Sequence, residues 1–256
     1  MTKHFWVILL LVAAFCAFFE LGRMDVWSDN EGQRATPPAE MVRTGNYLIP
    51  TLNGEDYLAK PPLLYWMNAA SYKISGEISP LTARIPTALC GVMLVLSVYF
   101  YGRKHMGEGP ARWAAIAVLA SPYILQRSRV AEIDIPLTLA AFWAIVLFRA
   151  SCASRSRAGA FLTLILSGTA LGAGLLLKGP PILIFLAAAW MAQSLAESDS
   201  SAWLAKGLKW TCAAFGLAAL IWGLSLVAPA STSWIRFPVP LMHMGATWVV
   251  LTWVYG

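Results

Sequence analysis

A chain of 256 residues that is 58% hydrophobic and only 12% charged is too apolar for an ordinary soluble domain, in which about a quarter of residues carry charge. Its formal net charge of +6 lies scattered between apolar runs rather than gathered on one surface, which excludes nucleic acid as a partner. The four cysteines, at 16, 90, 152 and 212, have no CxxC spacing and indicate neither a disulfide framework nor a zinc site.

The composition predicts an all-α, polytopic transmembrane helical bundle. MTKHFWVILLLVAAFCAFFELG opens basic and turns apolar as a leader would, but runs into Glu20 and Arg23 without an A-x-A-like site, so an uncleaved first helix is expected. Segments near the roughly 20 residues that a membrane helix needs fall at about 5–21, 81–101, 111–126, 133–149, 159–177, 180–196 and 208–228. The break from Lys178 to Pro181 reads either as an exposed turn or as a kink within the membrane. If Lys3 is cytoplasmic, the short loops on that side hold nine basic and three acidic residues, while the remaining ten of each sign cancel on the other side. That asymmetry puts the N-terminus in the cytoplasm and the first loop outside, periplasmic in a bacterium, with the chain in the inner membrane.

The first loop, about 22–80, is far longer than a plain connector, and the polar stretch from Asp25 to Trp66 is the exception in an otherwise lipid-compatible chain. Pro37 and Pro38 suit the first turn of a short helix running to Arg43 with Thr36 as its N-cap. Leu63, Trp66, Met67, Ala70 and Ile74 recur at helical spacing, and Tyr65, Tyr72 and Lys73 suit a headgroup region, which predicts a helix lying along the interface over 63–74. An eighth span opens over 241–256 as the chain stops, so the sequence is expected to be a fragment or a short form.

Five stretches carry a family resemblance: NEGQRATPPAEM (30–41), YLIPTLNGEDYLAKPPLLYW (47–66), ARIPTAL (83–89), EIDIPLTL (132–139) and LLLKGP (175–180). In order and spacing they resemble the N-terminal half of the GT-C polyprenyl-phosphate-dependent glycosyltransferases, the branch of the aminoarabinose transferases and protein O-mannosyltransferases. The resemblance implies an inverting transfer of sugar from a polyprenyl-phosphate carrier to a lipid, glycan or protein acceptor on the extracytoplasmic face. Such a reaction needs a carboxylate for the acceptor and cations for the leaving phosphate.

The family's first-loop pattern, D-E-x-R-Y, places its Asp on Asn30, its Glu on Glu31 and its Arg on Gln33. Asn30 cannot be a base. Glu31, which keeps register, is therefore the leading catalytic acid, followed by Asp29 and by Asp134 at the outer start of the fourth span. The bland alternative for Asp134 is a helix-dipole charge worth ~0.3–1 kcal/mol, and Glu132 is read that way. For the carrier phosphate the resemblance implies Lys60 and Tyr57, with Arg34 in place of the family's arginine, then Lys178 and Arg84. Snorkelling is the alternative for the lysines, and for Arg84 anchoring of the second span is the favoured reading over the phosphate. No cofactor is required, although oxygens of Asp29, Glu31 and Asp134 would suit Mg2+ or Mn2+. Two other readings are a binding-only or truncated form, and a transporter or flippase. The second predicts charges in mid-span, whereas here they sit at span ends.

Overall fold

The computed structural model describes residues 4–25, 29–179, 181–184 and 187. The spans expected at 208–228 and 241–256, and most of that at 180–196, lie outside the described residues. The described elements are α1 (Phe5–Phe18), α2 (Asp29–Thr44), β1 (Thr51–Leu52), β2 (Glu55–Asp56), α3 (Leu63–Ser75), α4 (Pro80–Met106), α5 (Glu108–Leu119), α6 (Pro122–Ser128), α7 (Asp134–Ala153) and α8 (Arg157–Lys178). The fold is all-α apart from that one minimal hairpin. Of the described helices, α4, α7 and α8 are long and apolar enough to cross a membrane.

The chain divides into two units, the first comprising Met1–Tyr57 with Pro62–Leu139 and the second Leu58–Pro61 with Ala140–Gly256. In the first unit, α4 is the central strut. Ser79 caps it through a reciprocal box with Thr82, and Pro80 at the first helical position gives up no needed donor. Leu9, Ala13 and Ala17 of α1, followed by Leu21, form a buried stripe at four-residue spacing against Ala88, Val92, Val95 and Tyr99 of α4. The alanines let the two backbones approach closely, which is the packing available to helices in lipid.

Residues 111–126, expected as one span, form parts of two helices. Pro122 lacks the N–H that would bond back into the preceding turn, so α5 stops at Leu119 and α6 restarts with that proline in its first turn. At twelve residues α5 is about 18 Å long, well short of a bilayer core.

Helix α2 corrects a second expectation. It begins at Asp29, not after Thr36, and runs straight through Pro37 and Pro38. These prolines release the carbonyls four residues back, of Gln33 and Arg34. The Arg34 carbonyl accepts from Asn68 Nδ2 of α3 at 3.2 Å, and the Gln33 carbonyl lies 3.5 Å from Arg34 Nη1. One carbonyl further on, that of Ala35, accepts from Tyr72 Oη, also of α3, at 3.1 Å. Asn68 on α3 thus stands in for one of the two missing helical bonds and Tyr72 adds a bond beside it; the buried face of α3 is Leu64, Tyr65, Asn68, Ala69 and Tyr72, while Ile74 points outward at 88% exposure.

Between α2 and α3 the chain turns back as the β1–β2 hairpin, with Thr51 opposite Asp56 and Leu52 opposite Glu55. Asn53 and Gly54 at its tip both have positive φ, 56° and 83°, as a tight Asn-Gly turn requires. The Glu40 carboxylate fastens the tip to α2 by accepting from the Asn53 N–H at 2.7 Å and from the Thr51 hydroxyl. In the second unit, Ser167 Oγ of α8 donates to the Ala144 carbonyl of α7 at 2.8 Å, and Gly174 lies hard against Ile182.

Gly91 of α4 has no room for a side chain: an added Cβ would fall 2.8 Å from Ser128 Cβ and closer still to its hydroxyl. Gly91→Val is expected to lower stability by about 1–3 kcal/mol, read as a lower unfolding midpoint of the detergent-solubilised protein. Gly109→Ala, whose methyl would meet nothing within 4 Å, leaves that midpoint unchanged or raised.

Candidate functional site

The charged residues of the first loop separate into two groups on α2, one turn apart. Glu31 is 1% exposed and Arg84 of α4 is 3% exposed. Arg84 Nε donates to Glu31 Oε1 at 2.7 Å and Nη2 to Oε2 at 3.0 Å, a two-pronged pair. Nη1 donates to the carbonyls of Leu21 at 2.9 Å and Met24 at 2.8 Å, and Nη2 also to that of Asp25 at 2.8 Å. All five N–H donors of the guanidinium are therefore engaged by protein. Glu31 Oε1 additionally accepts the Ala131 N–H at 2.9 Å.

This geometry bears on two expectations. Glu31, expected as the base, is held in a buried pair with Arg84 that proton uptake would break, leaving the Arg84 charge uncompensated. Arg84 has no donor left for a phosphate and anchors the loop. A divalent cation on Glu31 would also stand against the guanidinium, so Glu31 does not fit a metal-ligand set. Among the described residues no three His, Cys, Asp or Glu side chains cluster as metal ligands. The side chain of Asp29 lies outside the described residues.

Arg34 is the opposite case. It is 5% exposed and forms no ion pair with any described residue. Its Nε, Tyr65 Oη and Asn68 Oδ1 are buried without hydrogen-bond partners among the described residues. Burial pushes the Tyr65 phenol up to about 12, against the pull of the neighbouring Arg34 guanidinium. Tyr57 comes to the same helix edge, its hydroxyl donating to Gln33 Oε1 at 2.9 Å. A buried guanidinium beside two phenols, with donors unengaged, is suited to receive an anion.

A cavity of about 420 Å³ is lined by Arg84 together with Glu20, Asn30, Gln126, Arg127, Arg129 and Glu132 among others. Asp134, the first residue of α7, is not among its described lining residues and accepts from Tyr123 Oη at 3.2 Å. Lys60 and Lys178 belong to the second unit, Lys60 half-buried and Lys178 exposed in the last turn of α8. The structure thus joins Glu31 with Arg84, and Arg34 with Tyr57 through Gln33. Asn68 and Arg127 were not singled out from the sequence, and Tyr65 and Glu132 were read there as an interfacial ring and a helix-start charge; the polar set 65, 68 and 72 at helical spacing was the available signal for Tyr65 and Asn68.

Residues 59–251 match the model of the dolichyl-phosphate-mannose-protein mannosyltransferase family. An uncharacterised protein of Aquifex aeolicus is 32% identical over 139 residues, covering 54% of this chain and 28% of that protein. The undecaprenyl phosphate-alpha-4-amino-4-deoxy-L-arabinose arabinosyl transferase of Aeromonas hydrophila is 29% identical over 185 residues, 70% of this chain and 32% of the transferase. Among solved structures, ArnT from Cupriavidus metallidurans bound to undecaprenyl phosphate superposes with a TM-score of 0.75 at 20% identity, covering 93% of this chain and 44% of that one. The oligosaccharyltransferase of Archaeoglobus fulgidus gives 0.63 at 17% identity, over 87% and 30%. These likenesses show the GT-C fold, and the chain spans about a third of the length of such curated relatives.

Arg84→Ala is expected to cost about 3–5 kcal/mol, because it strands a buried carboxylate and frees three carbonyls at once. Thermal unfolding in detergent checks this, and Glu31→Ala combined with Arg84→Met recovers part of the loss.

Proposed function

The chain belongs to the dolichyl-phosphate-mannose-protein mannosyltransferase family, and from that premise we propose that it transfers a sugar from a polyprenyl-phosphate carrier to a lipid, glycan or protein hydroxyl with inversion. The observation that carries the reading is Arg34, a nearly buried guanidinium that, among the described residues, has no ion pair and no hydrogen-bond partner for its Nε, beside the Tyr65 phenol. Burying such a charge without compensation is costly, and a phosphate oxygen supplies the compensation. Arg34 and Tyr65 are assigned to the carrier phosphate, with Tyr57 positioned beside them through Gln33. Lys60 and Lys178 are assigned as further cations for lipid phosphate, each read by its own substitution.

The distribution of basic residues supports a cytoplasmic N-terminus and an extracytoplasmic first loop, in a bacterial inner membrane. The arabinosyl transferases among the relatives support an undecaprenyl carrier. A second reading, a form that binds the carrier without turnover, is favoured by one observation: the leading carboxylate of the first loop, Glu31, is engaged by Arg84.

Arg34→Ala is expected to weaken binding of polyprenyl phosphate about 10- to 100-fold, the effect of removing a charge-assisted hydrogen bond to an anion. Tyr65→Phe weakens it less, and Arg84→Met, where it folds, leaves it unchanged. Titration of the membrane-reconstituted chain with polyprenyl phosphate measures all three. Undiminished binding by Arg34→Ala removes the basis of the assignment.

A further inference from the structure

The cavity beside Arg84 has two carboxylates in its described lining, Glu20 and Glu132. Glu20 is held by Arg23 through both oxygens, at 2.9 and 2.8 Å, in an exposed pair. Glu132 differs in each respect. It is 9% exposed, and its backbone is fixed by its own N–H to the Val130 carbonyl at 2.8 Å and by Thr87 Oγ1 to its carbonyl at 3.4 Å. Its charged contact among the described residues is Arg127 Nη1 at 3.7 Å, too long for a hydrogen bond. Arg127 is itself steadied over the Tyr123 ring, 5.6 Å from its centroid. Glu132 therefore lines a cavity beside the Arg127 cation, with its oxygens free of hydrogen bonds to described residues.

The rest of the lining indicates what the cavity takes. Asn30 and Gln126 bring amides that both donate and accept, and Arg127 and Arg129 bring cations. Two donors of Arg129 are engaged with the carbonyls of Cys16 and Phe19, at 2.6 and 2.7 Å, which fixes that wall. A volume of about 420 Å³ with amides and mixed charge suits a polar, hydroxyl-bearing group of sugar size.

We propose that Glu132 is the general base of this protein, receiving the proton of an acceptor hydroxyl bound in this cavity. The assignment rests on the glycosyl-transfer reading given above. The acceptor O–H bond breaks, its proton passing to a Glu132 carboxylate oxygen, while the acceptor oxygen bonds to the anomeric carbon. The bond from that carbon to the carrier phosphate breaks, and its electron pair leaves with the polyprenyl phosphate. Arg127, 3.7 Å from the Glu132 carboxylate, is a positioning residue that holds it at the cavity wall.

The test is glycosyl transfer from radiolabelled polyprenyl-phosphate sugars by membranes holding the 256-residue chain, unsubstituted and as Glu132→Gln, Glu132→Ala and Asp29→Asn. Carrier binding and unfolding midpoint are measured on each. Glu132→Gln is expected to lower transfer at least about 100-fold with binding and midpoint unchanged, and added formate to restore part of the activity of Glu132→Ala. Transfer that survives Glu132→Gln, or that disappears in Asp29→Asn while Glu132→Gln remains active, overturns the assignment and leaves the transferase reading intact. A Glu132→Ala chain that folds and binds carrier but gains nothing from formate also overturns it. An unsubstituted chain that binds the carrier and transfers nothing sinks the transferase reading itself, and the base assignment with it.

Discussion

The first unit depends on one side chain finding a partner for every hydrogen it carries. Arg84, fixed on the central strut α4, closes two bonds on Glu31 and three on the carbonyls that follow α1. A loop leaving a helix exposes carbonyls that need donors, and here those carbonyls, α2 and the strut are satisfied by the same guanidinium. Glu31 then reaches onward to the Ala131 N–H, so the segment leading into α7 is held by the same group. Net stabilisation from such a buried pair is small compared with its cost if broken. Its consequence is geometric: it fixes where α2 starts, and so which way each residue of the first loop faces.

From that start, the periodicity of α2 does the rest. Glu31 faces the strut, and Arg34, three residues on, is carried round toward α3, where Asn68 and Tyr72 meet the carbonyls of Arg34 and Ala35. The prolines matter in two ways. They release carbonyls that require outside donors, and this makes α3 polar on its buried face. Because Asn68 Nδ2 is committed to a carbonyl, its Oδ1 stays unpartnered together with Tyr65 Oη and Arg34 Nε. An unusual helix thereby comes with a cluster of buried polar atoms that have no hydrogen-bond partner among the described residues.

The sequence was most legible where one property is averaged over many residues. Apolar runs near twenty residues marked α4, α7 and α8, and the motif order marked the GT-C resemblance. It was least legible where the outcome depends on a partner far along the chain. Pro37 and Pro38 read as a helix start because nothing local shows that Asn68 will serve the freed carbonyl of Arg34. Glu31 read as a base because its match to Arg84, 53 residues away, has no local signature. Arg84 itself was left between phosphate and anchor, with the anchor favoured, and only the count of its engaged donors decides. Glu132 read as a helix-start charge because its neighbours across the cavity, Asn30 among them, arrive from the far end of the unit.

The distinction that organises the site is between charges whose hydrogen-bonding capacity is filled by protein and charges whose capacity is not. Glu31 and Arg84 are filled, and their burial holds the fold. Arg34 and Glu132 are buried to a similar degree, 5% and 9% exposed, yet each retains capacity facing away from the backbone bonds that position it. A low-dielectric setting makes an unfilled donor or acceptor costly in the resting protein and effective toward a ligand of opposite charge or matching polarity. The cation with unfilled capacity lies at the α2–α3 face, and the carboxylate with unfilled capacity lines the cavity that Arg84 also lines. Glycosyl transfer from a phosphate carrier needs that polarity: a cation where the carrier phosphate departs and a carboxylate where the acceptor gives up its proton.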